Sequence, residues 1–119
     1  MTDDCIIDEA VLRRLHTLGG PEFVSEMIGI FVEQVPRRGD SVLAGVRENS
    51  LDAVRRAAHS LVSTSGHIGA QRMLRLAEAL EGAADAHDWD AVRRLAPELR
   101  PAFEEARAVL DRLRPRAVA

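Results

Sequence analysis

The sequence predicts an all-α fold, an antiparallel up-and-down four-helix bundle with a short N-terminal helix capping it. Apolar residues recur at three- and four-residue spacing along most of the chain, no segment sustains a period of two, and the connections between periodic stretches are short. With 119 residues, 46% of them apolar, the chain is large enough to bury one core without staples. A single domain over 1–119 is expected, with its core at about 8–113.

Asp8 is the expected N-cap of a first helix carrying Val11, Leu12, Leu15 and Leu18, which Gly19 and Gly20 end. Pro21 suits the first position of a second, longer helix. There Val24, Met27, Ile28, Phe31 and Val35 share a face, and the pattern resumes at Val42, Leu43 and Val46 beyond a kink or interruption near Pro36. "RENS" reads as a turn with Ser50 as N-cap and Asp52 in the following first turn, where a carboxylate suits the helix dipole. A third helix, Leu51 to about Ile68, has its stripe at Leu51, Val54, Ala58, Leu61, Ser65 and Ile68, and Gly66 and Gly69 fray its end. The fourth, "AQRMLRLAEALEGAADA", buries Met73, Leu76, Ala77, Leu80 and Ala84. "HDWD" then makes a turn with Asp88 as cap. The last helix runs to about Leu113 through Val92, Leu95, Leu99, Phe103, Ala106 and Leu110, and Pro97 and Pro101 are expected to bend it early.

Composition excludes several classes of function. Sixteen basic residues against 19 acidic give a net charge of −3, so no chain-wide basic field exists to hold nucleic acid. All of the basic residues are arginine, and tyrosine is absent. No run of about 18 apolar residues suggests a membrane span, and the acidic "MTDDCIIDEA" does not read as an export signal. The lone Cys5 cannot form an internal disulfide. A cytoplasmic protein is expected.

The stretch "AAHSLVSTSGHIGA" carries the chemistry. At about 100° per residue, His59 lies roughly 130° from the centre of its helix's apolar stripe, so it faces water. Arg55, Ser63 and Gly66 share its face, with Arg56 and Val62 flanking. Ser63 and Gly66 cost helix propensity. What they provide is clearance, through which a second protein can bring a reactive group to the imidazole. A neutral imidazole keeps a lone pair on one ring nitrogen and can attack phosphorus without an activating base.

These residues resemble histidine phosphotransfer (HPt) domains, the four-helix-bundle carriers of bacterial and fungal phosphorelays. His59, Leu61, Ser65, Gly66, Ile68, Gly69, Ala70, Leu74, Leu80 and Glu81 fall on the family pattern in "AHSLVSTSGHIGAQRMLRLAEALE". "IFVEQVP" and "SLDAVRRAAH" extend the likeness, so that it covers roughly 8–112. Two positions depart from the pattern: Val62 stands where the family usually has lysine, and Ser63 where it has glycine. Ser63 is still small. Val62 removes a cation, and Arg55 and Arg56, one turn back, are the candidates to replace it beside a phosphoryl group. Glu81, where some members carry glutamine, is a lining candidate whose carboxylate would repel phosphate if it faced the site.

The resemblance implies a phosphoryl carrier and not an enzyme with its own kinase or nucleotide site. His59 would take phosphate from an aspartate of one receiver domain, in a response regulator or a hybrid histidine kinase, and pass it to another. No cofactor is expected on this chain, and Mg²⁺ is expected on the partner receiver. Leu12, Leu15, Met27, Ile28 and Val62 are the candidates for an apolar docking surface. A monomer is expected, and the initial Met1 with the short tail "RPRAVA" suggests a free-standing protein. The alternative is a docking module of the same shape that binds receiver or kinase domains without taking phosphate, which the missing lysine favours. In "DAHDWD", turn and cap chemistry explains Asp85, His87, Asp88 and Asp90 better than a metal site does. His16 suits a helix C-terminus, and Trp89 the packed end of the bundle.

Overall fold

A computed structural model describes residues 6–114. Cys5 and the last residues of the tail lie outside that range. The described chain forms α1 (Glu9–Arg47), α2 (Leu51–Ile68), α3 (Gln71–Asp85), α4 (Trp89–Leu95), a 3-10 turn (Ala96–Glu98) and α5 (Leu99–Leu113). The all-α bundle is as the periodicity predicts. No described helix is long and apolar enough to cross a membrane.

The helix starts follow from short polar side chains. Asp8 accepts from the amide of Ala10 at 3.0 Å, Ser50 from that of Ala53 at 3.1 Å, and Asp88 from that of Ala91 at 3.1 Å, each satisfying an amide that the helix leaves without a partner. α1 holds the expected first and second helices, which meet at a kink at Gly20, whose φ of 77° and ψ of −175° leave the helical region and suit a residue without a Cβ. Pro21 then restarts the helix. At Pro36 there is no interruption: the helical dihedrals continue. The Pro36 ring is exposed and borders a cavity, so it meets no packed core on the face it turns outward.

The expected last helix is instead divided. Pro97 sits in the 3-10 turn between α4 and α5, while Pro101 lies in the first turn of α5, where an amide would have had no helical partner anyway. Pro97 makes the division.

The core is aliphatic. Val24, Ile28, Phe31, Val35 and Val42 of α1 meet Val54, Ala58 and Leu61 of α2, Met73 and Leu80 of α3, Val92 of α4, and Phe103 and Leu110 of α5. The rings of Phe31 and Phe103 pack with centroids 5.7 Å apart, tilted by 32°. Trp89 is half-buried against this core, with the Arg93 guanidinium 5.0 Å over its ring.

The turn after α2 fixes the direction of α3. Gly69 has a φ of 77°, and its left-handed conformation lets the Ala70 amide reach the Ser65 carbonyl at 2.9 Å and its own amide reach that of Gly66 at 3.3 Å. Gly66 therefore lies inside α2 and does not fray it. The N-terminal segment clasps this turn: Asp8 N–H donates to the Gly69 carbonyl at 2.8 Å, and Gln71 N–H to that of Ile6 at 3.0 Å. A Cβ on Gly69 would lie 2.9 Å from the Asp8 oxygen.

Candidate functional site

His59 stands on the outer face of α2, with its side chain 66% exposed. The helical phase that buries Val54, Ala58, Leu61 and Ser65 turns it outward. Its Nδ1 lies 2.8 Å from Oε2 of Glu81 on α3, a carboxylate 25% exposed. A carboxylate oxygen only accepts, so Nδ1 carries the hydrogen and donates it. The lone pair then belongs to Nε2, which has no protein partner among the described residues. The contact fixes both tautomer and ring orientation, as a second carboxylate does for many functional histidines.

Glu81 thus faces the histidine, but through the nitrogen away from the one that would carry phosphate. The repulsion expected from sequence is displaced to the far edge of the ring. Sequence reasoning missed this because the contact spans two helices; the available signal was the Ile-Gly-Ala turn, which runs α3 back alongside α2.

Arg55 and Arg56 are engaged by carboxylates of α2 and α3. Arg55 Nη2 lies 2.9 Å from Asp52 Oδ1 and its Nε 3.9 Å from Asp85 Oδ1, while Arg56 Nε lies 3.0 Å from Asp52 Oδ2. The hydrogen bond from Arg55 and then the charge of Arg56 hold the exposed Asp52 carboxyl below the usual carboxylate range. Neither guanidinium bonds to His59. Asp85, His87, Asp88 and Asp90 do not converge on a metal: Asp85 faces Arg55, Asp88 caps α4, and His87 occupies the turn with a φ of 57°. Among the described residues no group of three such side chains is arranged for metal binding.

The small neighbours lie where the helical phase predicts. Ser63 and Gly66 are exposed, and a Cβ on Gly66 would meet only Leu74, at 4.0 Å. Nothing inside the protein requires glycine there. Val62 is half-buried against the core.

Two of the docking candidates are corrected. Ile28 is 0% and Leu12 8% exposed, because both point into the bundle, so neither can meet a partner. Leu15 and Met27 are half-buried. α1 exposes three large apolar side chains, Leu18, Ile30 and Leu43, and of these Ile30, 41% exposed and missed by sequence reasoning, is the one that borders the cleft beside α2. Two positions along a helix from Ile28, it turns about 200° away from it. Ile30, Met27 and Gln34 form one wall of a cleft of about 170 Å³, and Ser63, Thr64 and His67 of α2 the other. A larger, apolar cavity of about 650 Å³ lies across the bundle between α1 and the α4–α5 junction, and holds none of the residues around His59.

Of the exposed histidines of this helical bundle, His59 has one ring nitrogen held by a carboxylate and the other open among small residues, an arrangement suited to chemistry shared with another protein. The family model of the Hpt domain matches residues 26–114, and the chain belongs to that family, whose general activity is histidine phosphotransfer in a phosphorelay. Its fold is similar to the crystal structure of histidine-containing phosphotransfer protein B (HptB) from Pseudomonas aeruginosa PAO1, with a TM-score of 0.89 and 23% identity over 97% of this chain and 99% of that one. No curated protein sequence matches the chain.

Proposed function

We propose that His59 accepts a phosphoryl group from a receiver-domain aspartate and passes it to the aspartate of a second receiver, the chain acting as a monomeric carrier. The observation that carries this reading is the imidazole itself, exposed, with Nδ1–H on Glu81 and Nε2 open. In the first transfer the Nε2 lone pair forms the N–P bond as the aspartyl P–O bond breaks, and that bond's electrons return to the carboxylate. The chain contributes position, and Mg²⁺ held by the receiver supplies charge neutralisation when bound. Ile30, Met27 and Ser63 border the surface on which a receiver would seat.

The test is transfer of labelled phosphate from a charged receiver to wild type and to His59→Gln. Acid-labile, alkali-stable label on wild type that is absent from the variant is the expected result. A second reading, a docking module that takes no phosphate, is favoured by Val62 at the usual lysine position and by the engagement of Arg55 and Arg56 with Asp52. Receivers that bind wild type yet leave it unlabelled would establish that reading.

A further inference from the structure

We infer that Glu81 sets the lifetime of the phosphohistidine by holding the Nδ1 proton throughout the transfer, which makes it a positioning residue for departure of phosphate as well as for its arrival. The inference rests on His59 being the acceptor. Attack by Nε2 leaves the ring as an imidazolium that still carries Nδ1–H. When phosphate leaves, the P–N bond breaks, its electrons return to Nε2, and a neutral imidazole remains, again with Nδ1–H. No proton moves in either direction.

If the Nδ1 proton were lost from the phosphorylated ring, the same cleavage would have to expel an imidazolate anion, a far poorer leaving group. The phosphoryl group would then be stranded. A carboxylate 2.8 Å from Nδ1 opposes that loss, because it pairs with the protonated, cationic ring. Among the described residues no other carboxylate is hydrogen-bonded to the ring. On α3, Glu78 and Asp85 lie one turn to either side of Glu81, and Asp85 faces Arg55; on α2, Arg55 and Arg56 are tied to Asp52. On the α1 side, the cleft brings Gln34 and His67 but no carboxylate.

Glu81 thereby keeps the phosphoryl group transferable at a pH where a free phosphohistidine has begun to lose the proton. It also shortens the lifetime of the phosphorylated protein when no acceptor is present, since water meets the same activated P–N bond. Phosphoramidate, which phosphorylates histidine without any partner protein, provides the test. His16, His67 and His87 are also exposed, so the measurement uses the full chain with these three changed to Gln, carrying Glu81, Glu81→Gln or Glu81→Ala.

Decay of the phosphohistidine signal is followed by ³¹P NMR between about pH 6 and pH 9. The expected result is that near pH 8 the Glu81→Ala label outlives that of the Glu81 protein by about three- to tenfold, the lower part of the range for an ion pair this exposed to solvent. Glu81→Gln, whose amide oxygen still accepts but carries no charge, is expected to fall between them, and the lifetimes are expected to converge toward pH 6. Equal lifetimes across the range, or shorter ones in the variants, would overturn the inference. Failure of receivers to label wild type would instead strike the relay reading, a separate result because phosphoramidate bypasses the receiver.

Discussion

The Nδ1 atom of His59 and the Oε2 atom of Glu81 lie 2.8 Å apart although 22 residues separate them, and the contact joins the two helices that frame the site. It makes the state of the ring observable before any phosphate is added. Long-range ¹H–¹⁵N spectra of neutral His59 are expected to show Nδ1 protonated and Nε2 as the unprotonated nitrogen. In Glu81→Ala the population is expected to redistribute toward the Nε2–H tautomer; an unchanged pattern would mean that the carboxylate does not select it.

Ile28 and Ile30 separate packing from recognition. Ile28→Ala is expected to destabilise the fold by about 2–5 kcal/mol, the cost of truncating a fully buried aliphatic side chain. Ile30→Ala, at an exposed position, is expected to change stability by less than about 0.5 kcal/mol and to weaken receiver binding. Chemical denaturation and titration calorimetry on both variants check the pair, and equal destabilisation would contradict the assignment.

Gly66 offers a case in which stability and function are expected to diverge. Since a Cβ there meets only Leu74 at 4.0 Å, Gly66→Ala is expected to stabilise α2 by about 0.5–1 kcal/mol, as glycine gives up that much to alanine inside a helix. Gly66→Arg is expected to keep the fold and to slow phosphotransfer by obstructing the approach to His59. Thermal unfolding and transfer kinetics read the two effects separately.

Asp52 gives the fold a specific response to acid. Its folded carboxyl titrates below the ordinary value, chiefly through the hydrogen bond from Arg55 and then the charge of Arg56, so folding is favoured where the group is ionised. The stabilisation is fully present above the ordinary carboxylate range and is lost as pH falls through the lowered value. The stability difference between wild type and Asp52→Asn is therefore expected at neutral pH, to fade in acid, and to shrink with salt because the pair is exposed. Denaturation midpoints across pH measure it.

Local signals made most of the fold legible. Ser50 and Asp88 announced their helices because a cap is a contact within three residues, and His59 announced its exposure because phase along one helix is enough to place it. Leu12 and Ile28 were misread for another reason: they lie on the apolar stripes that form the core, and nothing in one helix says which edge of a stripe stays uncovered. Proline was over-read at Pro36, where the helical dihedrals continue, whereas the early interruption of the last helical stretch falls at Pro97 as its missing donor predicts. Glu81 could be named but not placed, since whether a carboxylate points at phosphate or at the opposite ring nitrogen depends on how two helices lie side by side.

The clasp of the N-terminal segment on the α2–α3 turn also bears on how the chain folds. Asp8 and Gln71, joined by a side-chain contact of 3.4 Å, are 63 residues apart, so closing this contact requires α1, α2 and the turn between them to be in place already. Helices made of local contacts are expected to form before the clasp closes. In hydrogen exchange the amides of Asp8 and Gln71, which bond across the clasp, are expected to open together as one unit, ahead of the amides in the middle of α2. The helix that carries His59 would then stay folded while its own end loosens, so that partial opening leaves the histidine in register.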